Sequence, residues 1–143
     1  MIIGIILTII LTYITKPIKK IPHGIELITI FIIIYAEMYS FVIAAMFSII
    51  ALTSTNIIYK RISMFNLVFY PTYILIAFLA NIIPGSIITK TVILTIIYNI
   101  ITNTILILIF KAKLNKCTIY ITTNLTWNIY IIITYNTYIQ YII

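Results

Sequence analysis

The sequence predicts an all-α protein, a multi-pass transmembrane helical bundle with about six spans. The 143-residue chain is 64% hydrophobic and 8% charged, and its mean hydropathy is +1.24. Soluble domains average roughly 25% charged residues. Isoleucine occupies 44 positions and aspartate none. The apolar residues also form long runs between basic or turn residues, and a run of about 20 can cross a bilayer as a helix.

This composition excludes several classes of protein. Nine basic and two acidic residues cannot coat a water-facing surface, which argues against a soluble domain, a disordered chain and a nucleic-acid-binding protein. Cys117 and His23 are the single residues of their types, so neither a disulfide nor a cluster of metal ligands is expected. We therefore predict a non-enzymatic protein without a cofactor, surrounded by lipid and with other membrane subunits as candidate partners.

The first predicted span covers residues 1–15. It ends at a segment with two prolines and a glycine, residues 16–24, which is typical of a loop. Its basic residues follow the apolar run, whereas those of a signal peptide precede it. We therefore expect this helix to be retained.

The next apolar run, residues 25–59, is too long for one upright crossing at 1.5 Å per residue. Glu37 lies inside this run between two tyrosines, and aromatic residues beside a charge are typical of a membrane interface. We place a turn there, which gives spans 25–35 and 39–59. One strongly tilted helix is the alternative.

Three further spans are predicted at 63–83, 87–110 and 118–143. The first of these contains Pro71, which removes a backbone donor, and it stops at a Pro-Gly turn. The last begins with alternating residues at 118–122 that favour a strand. Helix remains the better prediction, because an unpaired strand in lipid leaves its backbone groups unsatisfied.

The basic residues predict the orientation. Eight of the nine fall in three segments, 16–20, 60–61 and 111–116, which a six-span arrangement places on one side. Because cytoplasmic loops are rich in Lys and Arg, we expect these segments in the cytoplasm and both termini outside. Glu37 and Lys90 then share the outer side, where they are candidates for an ion pair.

Polar and small residues follow helical spacing in three places. Small residues that would let helices pack closely recur at Ala36, Ser40, Ala44 and Ser48. A polar stripe recurs at Thr91, Thr95, Asn99 and Asn103, and the last span carries Asn124 and Asn128. Polar groups in lipid need partners, so these residues form either an interhelical seam or a site for a small solute. The candidate residues are Thr95, Asn99, Asn103 and Asn128.

The layout resembles a known family. A Lys-Pro-x-x-Lys-x-Pro loop follows the first span, the segment 35–48 joins two spans, and Tyr98-Asn99 and Trp127-Asn128 lie late in the chain. This arrangement resembles the six-helix substrate-binding component of energy-coupling-factor transporters and the related rod-shape-determining membrane proteins. The resemblance implies a small-molecule-binding membrane component without its own ATPase, partnered by separate energising subunits.

We therefore expect a small-solute-binding or transport component. The alternative is a structural or membrane-remodelling protein, either encoded by a virus or an organelle or a subunit of a larger assembly. A third hypothesis is an oligomeric pore, in which the aromatic residues of the last span would line the opening.

Overall fold

The computed structural model describes residues 1–15, 27–59 and 66–142. Within these ranges every regular element is an α-helix, which confirms the all-α class. In chain order the helices are α1 (Ile2–Thr15), α2 (Ile28–Met38), α3 (Phe41–Tyr59), α4 (Asn66–Ile82), α5 (Ile87–Leu108) and α6 (Leu114–Ile142).

A sharp break separates α2 from α3. The backbone of Tyr39 leaves the helical region, and the N–H groups of Tyr39 and Ser40 both donate to the carbonyl of Tyr35, at 3.0 and 3.3 Å. The hydroxyl of Ser40 then accepts from the N–H of Ile43 at 3.4 Å. Two helices are therefore present in place of the single tilted helix. The predicted position of the turn was wrong, because Glu37 lies in the last turn of α2, which continues past residue 35 to Met38.

The connection between α5 and α6 lies earlier than predicted. Lys111 has a positive φ of 52°, and the N–H of Ala112 donates to the carbonyl of Leu106 at 3.0 Å. Lys116 falls in the first turn of α6, so its assignment to a loop was wrong. Lysine is a good helix former, so a lysine after an apolar run need not end a helix. Hydropathy indicates where lipid would end along the chain, and a helix can continue beyond that point.

The central helix of the fold is α2, whose 11 residues span about 16 Å. Eight of them are buried, and the helix contacts α3, α4, α5 and α6. Its Ile32 and Ile33 lie in one core with Phe47 of α3, Ile76 of α4 and Leu94 of α5. Around α2, α4 packs against α3 and α5, α1 packs against α3, and α6 packs extensively against α5.

Two helices of the described residues, Phe41–Tyr59 and Ile87–Leu108, are long and apolar enough to cross a membrane. Three shorter helices are also apolar, Ile2–Thr15, Ile28–Met38 and Leu67–Ile82. These lengths and compositions are consistent with association with a membrane.

Candidate functional site

The buried face of α5 is polar, and its exposed face is apolar. Eight residues of this helix are buried, and Leu94 is the one aliphatic residue among them; the others are Lys90, Thr91, Thr95, Tyr98, Asn99, Thr102 and Asn103. Ile93, Ile96 and Ile100 point outwards. A soluble amphipathic helix has the opposite arrangement, so α5 is suited to an apolar surrounding.

Four asparagines form an amide cluster where α5 packs on α6. The Nδ2 of Asn99 donates to the Oδ1 of Asn124 across the two helices at 2.8 Å, and also to the carbonyl of Thr95 at 2.8 Å. Asn103 donates to the carbonyl of Asn99 at 2.8 Å. Asn128 donates to the carbonyl of Asn124 at 3.0 Å. The sequence predicted an interhelical seam or a solute site here, and the structure shows a hydrogen bond that links the two helices.

Several buried polar atoms on the two helices that carry this cluster have no hydrogen-bond partner within the part of the chain that the structure describes. They are Thr95 Oγ1, Asn99 Oδ1, Thr102 Oγ1, Asn103 Oδ1, Trp127 Nε1 and Asn128 Oδ1. All six belong to α5 or α6. Each unsatisfied group costs roughly 1–3 kcal/mol of folding free energy, and a concentration of them in one place is a reason to suspect a function.

A groove of about 270 Å³ lies against the amide cluster, between the outer edges of α5 and α6. Its lining is mostly aliphatic and comprises Ile96, Asn99, Ile100, Asn103, Thr104, Ile107, Ile121 and Leu125. The structure thus brings two of the four predicted site residues, Asn99 and Asn103, into one cavity. Thr95 and Asn128 are buried on the same helices but do not line it.

Three tyrosine hydroxyls join α4, α5 and α6 beside this site. The hydroxyl of Tyr98 lies 2.9 Å from that of Tyr73 and 2.9 Å from that of Tyr120. The rings of Tyr73 and Tyr98 also stack, with their centroids 4.8 Å apart. Neither Tyr73 nor Tyr120 was predicted from the sequence. Tyr73 did carry a signal, because it lies in the middle of the predicted span 63–83, away from the interfaces where tyrosine is common. Tyr120 lies two residues after the start of the predicted span 118–143 and carried no such signal.

No protein-family model, curated protein or solved structure matches this chain. Its function is therefore argued from its own side chains. Among the described residues, no group of three or more His, Cys, Asp or Glu could hold a metal ion.

A buried ion pair lies at the end of the bundle where α5 begins. Lys90 Nζ contacts Glu37 of α2 and also donates to the carbonyl of Ala80, at the end of α4, at 3.1 Å. The Lys90 side chain is 8% exposed and that of Glu37 is 29% exposed. The pairing that the six-span arrangement predicted is confirmed. It ties together three helix ends, and Lys90 lies on the same helix as Asn99 and Asn103 of the amide cluster.

The small residues at four-residue spacing are divided by the helix break. Ala36 is in α2, Ser40 lies in the break, and Ala44 and Ser48 are buried in α3. A second stripe, which the sequence analysis did not single out, lies on α1 and comprises Gly4, Thr8, Thr12 and Thr15. Three of its hydroxyls donate to carbonyls one turn earlier, at 2.7 to 2.9 Å.

Proposed function

We propose that this chain is a multi-pass membrane protein that binds a small solute beside the amide cluster. The observation that carries the proposal is the inverted character of α5, which buries its asparagines and threonines and exposes its isoleucines. Lipid favours such an arrangement, since polar side chains within a membrane face other helices or a cavity. The same preference accounts for exposed Ile, Leu and Tyr along α1.

The contacts at the two ends of the bundle support several crossings of the membrane. Glu37 and Lys90 meet at one end of the bundle. The last turns of α1 and α3 meet at the other end, where the hydroxyls of Thr15 and Tyr59 are 2.8 Å apart. The predicted cytoplasmic segments 16–20 and 60–61 follow these two turns in sequence but lie outside the described residues.

α2 is too short to span a membrane, but its position inside the bundle is compatible with the proposed membrane placement. At about 16 Å it is too short for a hydrocarbon core of about 30 Å. Its burial by four other helices means that it need not meet lipid along its length. In our proposal α2 is an internal helix enclosed by the others.

Accessibility of single cysteines tests this topology. In a Cys117→Ser background, Asn81→Cys places a thiol at the exposed end of α4, and Asn115→Cys places one at the exposed start of α6. We expect an impermeant maleimide added to intact cells to modify the first variant and to reach the second only after permeabilisation. Modification of both from the same side would contradict a crossing by α5.

The amide cluster and its groove support solute binding. Asn99 and Asn103 are 1% and 3% exposed, both residues line the cavity, and the buried amide oxygen of each has no partner in the described structure. Convergent polar groups within a mostly apolar pocket are typical of small-molecule sites. The proposed function is the one that the sequence analysis expected, that of a solute-binding or transport component without its own ATPase.

Ligand-dependent stability tests solute binding. We expect a compound from a metabolite collection to raise the melting temperature of the detergent-solubilised protein, and we expect Asn103→Leu to abolish that shift. Asn128→Leu is the matched control, because Asn128 is equally buried and makes the same bond to a carbonyl one turn earlier but does not line the groove. An equal shift in both variants would refute this site.

The competing function is that of a structural subunit, and the Asn99–Asn124 bond favours it, since polar side chains also fasten helices together in membranes. A structural role predicts that Asn103→Leu and Asn128→Leu lower stability without any compound affecting the parent protein. It also predicts copurification with other membrane proteins.

A further inference from the structure

We propose that the outer face of α6 is a contact surface at which a second copy of this chain binds, α6 against α6. This inference goes beyond solute binding and rests only on the proposed placement of the bundle in a membrane. It depends on which side chains α6 exposes, on how deep they would lie and on which bonds their hydroxyls already make.

The exposed face of α6 carries hydroxyl residues at four-residue spacing, and positions so spaced share a helical face. These residues, which we call the hydroxyl stripe, are Thr118, Thr122, Thr126, Tyr130 and Thr134. The neighbouring helix α5 differs, since its exposed residues in the same central part are Ile93, Ile96 and Ile100. Thr53 on α3 and Thr104 on α5 are also exposed, but neither has an exposed threonine one turn before or after it. Among the described helices, α6 alone exposes such a stripe.

The middle of the hydroxyl stripe would lie at the centre of the bilayer. Lys116 is exposed in the first turn of α6, where the basic residues mark the aqueous end of the helix. Thr126 follows ten residues later, which is about 15 Å along a helix and half the thickness of a hydrocarbon core of about 30 Å. Neither bulk water nor lipid headgroups reach that depth, so a hydroxyl there needs a partner from a protein.

The two central hydroxyls of the stripe are available for a contact outside the chain. The hydroxyls of Thr118 and Thr123 donate to carbonyls one turn earlier on α6, at 3.0 and 2.8 Å. Those of Thr122 and Thr126 have no hydrogen-bond partner within the described residues, and both side chains are exposed. A hydroxyl left without a partner in hydrocarbon is costly. We therefore expect another molecule to supply the partner.

A second copy of the chain carries the matching surface. A hydroxyl both donates and accepts hydrogen bonds, so the stripe is complementary to itself. Two copies inserted in the same orientation hold Thr122 and Thr126 at equal depth, and a twofold axis along the membrane normal places each residue opposite its equivalent. Threonine is also among the small residues that let membrane helices approach closely. Tyr130 is bulkier and lies one turn further on, so the closest approach is expected at the two threonines.

Oxidative crosslinking in native membranes tests this contact. In a Cys117→Ser background, Thr126→Cys places a thiol in the stripe. Ile100→Cys is the matched control, because Ile100 is 60% exposed near the middle of α5. We expect copper phenanthroline to convert several times more of the first variant than of the second into a disulfide-linked dimer. Equal crosslinking of the two variants would overturn the proposal.

Removing the two central hydroxyls should weaken the dimer. Thr122→Val combined with Thr126→Val keeps the shape of both side chains, and Thr53→Val makes the same change at an exposed threonine of α3. Energy transfer between copies labelled at Asn81→Cys, diluted with phosphatidylcholine, measures the dissociation constant. We expect it to rise about tenfold in the double variant, about threefold for each of two interhelical hydrogen bonds, and to stay unchanged in Thr53→Val. A double variant that dimerises as tightly as its parent would overturn the proposal.

The remaining outcomes separate this inference from the proposed function. Complete extraction of the protein from membranes by alkaline carbonate would refute the membrane placement and the dimer together. A protein that stays in the membrane as a monomer would overturn the dimer alone. A Thr126→Cys thiol that reacts with a water-soluble maleimide as fast as an Asn115→Cys thiol would also overturn the dimer alone, because the stripe would then face water. Solute binding is judged separately, by the thermal shift that depends on Asn103.

Discussion

Removing either partner of the Lys90–Glu37 pair should give unequal effects on stability. In Glu37→Gln the ammonium of Lys90 stays buried, with the carbonyl of Ala80 as its remaining described partner. In Lys90→Met the carboxylate that remains is 29% exposed and can reach water. Leaving the Lys90 ammonium without its partner therefore costs more stability than leaving the Glu37 carboxylate without its partner.

Breaking a buried ion pair costs about 3–5 kcal/mol when one charge is stranded. Position 37 is partly exposed, so in Glu37→Gln water can partly solvate the ammonium of Lys90. We therefore expect Glu37→Gln to lower the free energy of unfolding by less, about 2–3 kcal/mol. For Lys90→Met we expect about 1 kcal/mol, since a solvated carboxylate loses little. The double variant strands no charge, so it should also cost only about 1 kcal/mol.

Unfolding in mixed micelles with an increasing fraction of sodium dodecyl sulfate measures these differences. The fluorescence of Trp127, the single tryptophan of the chain, can report the transition. Lys113→Met is a suitable control, because it removes an exposed lysine. Equal costs for the two single variants, or a double variant whose cost is their sum, would refute a buried pair with one stranded charge.

Two further predictions concern packing, and the same unfolding assay measures both. A methyl group added in Gly4→Ala would overlap the hydroxyl of Tyr35, so we expect the free energy of unfolding to fall by about 1 kcal/mol. Adding Tyr35→Phe to the same chain should restore the stability. A double variant as unstable as Gly4→Ala would contradict this contact. Tyr98→Phe removes the central hydroxyl between two others and should cost about 1–2 kcal/mol. The control is Tyr130→Phe, at a residue that is 59% exposed, which should change the free energy of unfolding little. Equal losses in the two variants would argue that the hydrogen bonds of the Tyr98 hydroxyl do not stabilise the fold.

Spacing along one helix predicted which residues of α5 are buried. Thr91, Thr95, Asn99 and Asn103 recur every four residues, and positions so spaced share a helical face. The structure buries all four. This inference needed only local geometry and the high cost of polar groups in an apolar medium.

The partners of those residues could not be predicted in the same way. Asn99 meets Asn124 because α5 and α6 pack with a particular rotation and register, which a periodic pattern on each helix does not specify. The residues from Ala36 to Ser48 do not share one helix, although Ala36, Ala44 and Ser48 are buried. A helical repeat has meaning only while the helix continues, and the break at Tyr39 interrupts it.

Most of the groove could not be predicted from the sequence. Asn99 and Asn103 were predicted as site residues, but most of the other lining residues are aliphatic and resemble any other exposed apolar position. The cavity itself depends on how the surfaces of α5 and α6 pack, which neither helix specifies alone. The ion pair between Glu37 and Lys90 was accessible, because the alternation of sides put the two charges at the same end of the bundle.

The inverted face of α5 has a consequence for how the protein is made. A newly synthesised α5 that entered the bilayer alone would hold Asn99 and Asn103 against hydrocarbon. In the membrane placement that we propose, docking of α6 would provide the Asn124 amide and shield both from the acyl chains. We therefore expect the last two helices to leave the translocon as a pair, so that a ribosome stalled before α6 would leave α5 exposed to quality-control proteases.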